Sequence, residues 1–128
     1  MQVLFVGIYS KYNGSTALKA AITGLYLSEA IQTAVYPYGV YHLISDVPSW
    51  TFDAGMEGYI IQFNLYSDNS SSTAVNTAFT ALTGLFDDCE ITVAGYTHIF
   101  MKRELSLLTR ESDVWNYFIQ YRIMNQKD

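Results

Sequence analysis

Residues 57 to 67, EGYIIQFNLYS, constrain this chain most. Tyr59, Ile61, Phe63 and Leu65 alternate with Ile60, Gln62, Asn64 and Tyr66. Side chains on a strand point to opposite faces with a period of two. One face here is wholly apolar and the other half polar, which predicts a strand in a sheet with one packed side and one wetter side. The next segment changes period. After DNSSS, Val75, Ala78, Phe79, Leu82, Leu85 and Phe86 recur at spacings of three and four, predicting a helix over residues 71–86 with Ser71 or Ser72 accepting from its first-turn amides.

The remaining segments fall around this pair. Residues 14–26 read as a short helix capped by Ser15 or Thr16, and residues 27–37 as a connector ending at Tyr36-Pro37. Pro37 holds Tyr36 extended. Residues 38–44 then read as a strand and 45–56 as a loop, because Pro48, Gly55, Ser45, Ser49, Asp46 and Asp53 cluster there. Residues 90–102 read as a strand with Gly95 as a bulge, 103–112 as a long hairpin tip, 113–124 as a strand, and NQKD as a loose tail. Residues 1–12 stay open between an opening strand, an extra helical turn and an arm that docks on a neighbour. Two hairpins with a helix between them predict the α+β class: a four-stranded antiparallel sheet packed against helices.

At 128 residues the chain suits one domain, 1–128. Half of it is hydrophobic and its mean hydropathy is +0.10. No apolar run reaches the ~18 residues a membrane helix needs. Met1 to Tyr9 lacks the basic start and small-residue cleavage site of a signal peptide. The net charge of −5 argues against a tight grip on nucleic acid. Charge is sparse at 15%, whereas 11 tyrosines help bring aromatic content to 16%. Tyrosine combines an apolar body with a polar tip and is enriched at protein interfaces, so this surface suits a subunit covered by neighbours.

The sequence offers no catalytic constellation. His42 and His98 lack the partners of a metal site, so no metal or cofactor is expected. Cys89 has no partner cysteine and reads as a small core residue. Asp87, Asp88 and Glu90 read as a solvated turn. Lys102, Arg103 and Arg110, beside Glu104 and Glu111 at the predicted hairpin tip, read either as mixed ion pairs or as a projection that docks electrostatically on another subunit. Trp50 and Phe52 lie in the predicted loop and either fold back onto the core or face a partner. The candidate interface residues are therefore Trp50, Phe52, Arg103 and Arg110.

An ordered series of motifs resembles the tail completion, or tail terminator, proteins of long-tailed bacteriophages, also described as head–tail joining proteins. It runs through Tyr36-Pro37-Tyr38-Gly39-Val40-Tyr41, Trp50-Thr51-Phe52 and Ile60-Ile61-Gln62-Phe63-Asn64-Leu65-Tyr66-Ser67. It continues with Leu85-Phe86-Asp87-Asp88, Ile91-Thr92-Val93-Ala94-Gly95-Tyr96, Met101-Lys102-Arg103, and Glu111 to Tyr121-Arg122-Ile123. The resemblance covers residues 14–124 and leaves 1–13 as a segment outside the family pattern.

It implies a tail-terminator-like fold and a structural virion protein, not an enzyme, assembled in the host cytoplasm. Six copies would form a ring at the head–tail junction, meeting the tail tube protein on one side and the head-completion or neck protein on the other. DNA would pass through the channel, and no membrane is involved. The alternatives are a neighbouring neck ring subunit, and a non-viral adaptor or small-ligand-binding domain with His98 or Tyr96 as polar handles.

Overall fold

The computed structural model describes residues 2–50 and 55–127, with the side chains of Ser49 and Trp50 excepted. Three helices, α1 (Gln2–Asn13), α2 (Thr16–Ala21) and α3 (Thr73–Phe86), accompany five strands: β1 (Leu25–Leu27), β2 (Tyr38–Trp50), β3 (Gly55–Ser67), β4 (Tyr96–Glu111) and β5 (Val114–Lys127). The sheet order is β1-β2-β3-β5-β4. Strands β2, β3, β5 and β4 pair antiparallel in succession, and β1 joins β2 in parallel over Leu25↔Gly39 to Leu27↔Tyr41.

The α+β class is as expected, but the sheet is five-stranded and mixed rather than four-stranded and antiparallel. The extra strand comes from the predicted helix over 14–26. That helix starts at the expected cap, where Ser15 Oγ accepts from Leu18 N–H at 3.2 Å, but it stops at Ala21. Ile22 turns extended, and the Thr23 N–H donates to Pro37 O at 2.8 Å. This backbone bond, with a second from the Thr23 hydroxyl to Val35 O, brings Leu25–Leu27 beside β2. A three-residue strand is too short for its alternation to be legible.

The predicted loop over 45–56 is mostly strand. β2 runs to Trp50 and β3 begins at Gly55, with a register shift between Leu43 and Ser45. Beyond Tyr41 no described strand pairs with the outer side of β2. An edge position tolerates Pro48, whose missing N–H has no ladder to break there. The long hairpin tip over 103–112 is likewise absent. β4 continues to Glu111, and Ser112 and Asp113, at φ 51° and 63°, close a tight turn into β5. Positive φ at both central residues is the geometry whose twist suits two-residue hairpins. Two bulges, at His98/Phe100 and Arg103/Leu105, break the alternation of β4 and hid it in the sequence. The tail is not loose as far as Lys127, because β5 pairs with β3 as far as Gln126 and with β4 as far as Lys127. The expected strand start at Glu90 moves to Tyr96. Gly95, at φ 84°, lies in the turn before β4 rather than in a bulge.

The first segment resolves as a full helix. Leu4 and Ile8 of α1 are wholly buried, and Ile91 and Val93 of the segment before β4 join the same core. α1 touches that segment at Gly7, where a Cβ would lie 2.5 Å from Thr92 O and 2.9 Å from Ile91 Cγ2. All helices cover the face bearing Tyr59, Ile61, Phe63 and Leu65. Phe63 is central: its ring lies 4.8 Å from Phe86 and meets Tyr121 edge-on at 5.8 Å and 88°. Phe79 of α3 stacks on Tyr117 of β5 at 4.0 Å. Phe63 and Phe86, fully buried, each contribute ~1.5–3 kcal/mol.

Two glycine substitutions in helices should act in opposite directions. Gly84 of α3 is exposed, with nothing within 4 Å of an added Cβ, so Gly84→Ala should stabilise by ~0.5–1 kcal/mol. Gly7→Ala gains the same propensity but forces α1 off Thr92, for a net loss of ~1–2 kcal/mol. Thermal melts of both variants check the sign of each.

Candidate assembly surface

The helices leave the other sheet face bare. Pairings place Ser45 and Val47 of β2 with Ile60 and Gly58 of β3, then Arg122 and Met124 of β5, and Phe100 and Lys102 of β4 on that face. Further along it lie Gln62, Gln120 and Leu105, then Asn64, Phe118 and Leu107. Its centre is an amide chain. Gln120 Nε2 donates to Gln62 Oε1 at 2.9 Å, Gln62 Nε2 to Asn64 Oδ1 at 2.8 Å, and Asn64 Nδ2 to Tyr66 Oη at 3.2 Å. The chain satisfies these polar groups within the sheet and leaves apolar side chains around it open to solvent. At the β1 end four tyrosines gather: Tyr38 lies 6.2 Å from Tyr26, 5.2 Å from Tyr36 and 5.4 Å from Tyr66. Burial and the neighbouring phenols push the Tyr38 hydroxyl above its ordinary pKa.

Of the candidate interface residues, Arg103 and Arg110 lie apart from each other along β4. Phe52 lies outside the described residues, and Trp50 is the last residue of β2, opposite Gly55. Arg103 is mid-strand rather than at a tip. Its guanidinium pairs with Asp87 at 3.3 Å and lies 5.4 Å over the Phe79 ring. Arg110 does sit near the turn, 4.8 Å over Trp115, and donates to Ser70 O at 2.9 Å, while Trp115 Nε1 donates to Asn69 O at 3.0 Å. Together these two side chains hold the turn that leads into α3.

The acidic turn after α3 is not simply solvated. Asp87 accepts from the Tyr121 hydroxyl at 2.6 Å as well as pairing with Arg103, and Asp88 pairs with Lys102. Burial, with Asp87 beside it, raises the Tyr121 pKa well above the ordinary value. This arrangement links the end of α3 to β4 and β5. The sequence shows both charged groups but not that they meet, since fourteen or more positions separate them. His42 on β2 and His98 on β4 are separated by β3 and β5, and His98 Nδ1 accepts from Ile91 N–H at 3.4 Å. Cys89 packs against the core with Sγ 3.5 Å from Met101 Sδ, and burial raises its thiol pKa. Between sheet and helices the core holds Leu4, Ile8, Phe63, Leu82 and Phe86, all wholly buried.

Asp46, towards the end of β2, lies beside Glu57. Partial burial, and then the hydrogen bond and charge of Glu57, raise the Asp46 carboxyl from 3.8 to about 6. Because the folded pKa exceeds the unfolded one, the stability linked to this proton is fully present below about pH 4 and is lost as pH rises through about 6. Asp46→Asn should therefore raise the melting temperature at pH 7 by ~1–3 °C and leave it unchanged at pH 4. Melts of both proteins across that range check it.

No protein-family model and no curated protein matches the chain. Solved structures do share its architecture. A chain of the virion of a native gene transfer agent particle superposes with a TM-score of 0.79 at 10% identity, over 93% of this chain and 91% of that one. Bacteriophage SPP1 gp17 protein superposes with a TM-score of 0.55 at 15% identity, over 95% of this chain and 88% of its own. At these identities the likeness is one of fold, and it extends over nearly the whole of each chain.

Proposed function

We propose that this chain is a structural virion subunit that assembles as a ring of six copies at the head–tail junction. There it would end the tail tube and join it to the neck. The observation that carries this reading is the near full-length match, at a TM-score of 0.79, to a chain of a gene transfer agent virion. The ordered motifs that resemble tail completion proteins and the fold of bacteriophage SPP1 gp17 point the same way. The bare sheet face suits a subunit whose neighbours complete it. A ring needs two different patches on each copy, one for each neighbour. Tail tube and neck proteins would be its axial partners. The net charge of −5 lets DNA pass a channel without being held, since like charges repel.

Mass measurement of the purified chain by light scattering should give six times the monomer mass, and electron micrographs should show closed rings. Particles assembled without the chain should carry tails of uncontrolled length. A stable monomer at high concentration, or normal tails without the chain, would refute the reading. For Trp50, at the end of β2, Trp50→Ala should raise the concentration needed for ring assembly about tenfold while lowering the melting temperature by no more than ~2 °C. A matching loss of both would make Trp50 a folding residue.

A further inference from the structure

We propose that neighbouring copies join by extending the sheet, with residues Leu105–Thr109 of β4 pairing antiparallel with His42–Val47 of β2 in the next copy. The inference rests on the ring reading for the identity of the neighbour.

The sheet ends differently at its two sides. At one end β4 is the last strand, and its outer row of N–H and C=O groups meets no described strand. Unpaired edges of this length usually carry charges or bulges that discourage pairing. Residues 98–104 have both: bulges at His98/Phe100 and Arg103/Leu105, and the charges of Lys102, Arg103 and Glu104. Leu105-Ser106-Leu107-Leu108-Thr109 has neither a charge nor a bulge. Leu105 and Leu107 are 48% and 51% exposed, so this stretch is open to another strand.

At the other end β1 covers β2 only over Gly39–Tyr41. The outer side of β2 from His42 onward is free among the described residues until Pro48, whose nitrogen cannot donate. Ile44 and Val47 on this stretch are 48% and 61% exposed, Asp46 is its one charge, and the register shift between Leu43 and Ser45 places an irregularity at Ile44. Two open half-edges of similar length thus lie at opposite ends of one sheet.

Their directions match. Three successive antiparallel pairings, β2 with β3, β3 with β5 and β5 with β4, leave β4 running opposite to β2. A second copy placed in the same orientation beside β4 therefore offers its β2 antiparallel. The faces match as well. Val47 pairs with Gly58, and Leu105 and Leu107 with Gln120 and Phe118, all on the bare face. Continuing the sheet sets these apolar side chains beside one another and keeps every helix layer on the same side. The contact is head-to-tail, joining one end of the sheet to the other, as a closed ring requires.

The test uses the full chain in a Cys89→Ala background, with Val47→Cys in one preparation and Leu107→Cys in another. A thiol crosslinker reaching about 8 Å spans directly opposed and diagonal positions on paired strands. Mixed copies should crosslink 47 to 107, and neither preparation alone should crosslink. A chain carrying both substitutions should form a ladder that ends at the ring number. The amides within Leu105–Thr109 that point away from β5 should exchange at least tenfold more slowly in the assembly than in dilute monomer, which separates backbone pairing from mere face contact. Crosslinking of Leu107→Cys copies with each other would overturn the proposal in favour of two-fold β4–β4 pairing. Rings that show neither 47–107 crosslinks nor slowed exchange would overturn it and leave the ring reading standing. A chain that stays monomeric would remove both.

Discussion

The two-residue alternation of β3 is the constraint on which the rest depends. β3 lies in the middle of the sheet, hydrogen-bonded to β2 on one side and β5 on the other. Its inward residues Tyr59, Ile61, Phe63 and Leu65 are each at most 1% exposed. A slip of one residue would move all four to solvent and bring Ile60, Gln62, Asn64 and Tyr66 inside, where the amides would lose their partners. The register is therefore fixed by burial, and with it the face on which α1 and α3 pack. The same alternation leaves the opposite face half polar, so that the sheet is stable with one side uncovered.

A second layer of specificity comes from charge. The acidic residues after α3 and the basic residues on β4 meet as pairs, and Tyr121 ties Asp87 to the sheet from within. Exposed pairs such as Lys102–Asp88 add little energy each. Their contribution is to place the helix end against β4. Arg110 and Trp115 perform a similar task at the opposite end of α3, where they grip carbonyls of the preceding turn.

How much of this was legible in the sequence varied with the kind of signal. β3, α3 and the buried face of β5 follow regular periods, and they stand where the periods put them. The Ser15 cap was legible for the same reason, since a hydroxyl just before a helical run has one obvious use. β1 was not legible, because three residues carry no period. The far halves of β2 and β4 were missed because Pro48 and the charges that begin at Arg103 and Glu104 read as breakers, although an edge strand tolerates both. That error mattered for the assembly surface. Reading 103–112 as a protruding tip left Arg103 and Arg110 open between mixed ion pairs and a docking projection, whereas along β4 they contact Asp87, Phe79, Trp115 and Ser70. What remained outward was the uncharged stretch of leucines beside them, a feature that emerges only once the strand is known to be at an edge.

The composition of α3 has a consequence of its own. Its sequence, TAVNTAFTALTGLF, holds no lysine, arginine, glutamate or glutamine. The side chains turned away from the core, such as Thr77, Thr80 and Gly84, are short, and Thr77 is already tethered to Thr73 O at 2.9 Å. Long charged side chains forfeit up to ~2 kcal/mol of rotamer freedom when immobilised, and small ones far less. Water can thus be displaced from the outside of this helix with little loss of disorder, which makes it a surface on which even a weakly attractive contact can persist.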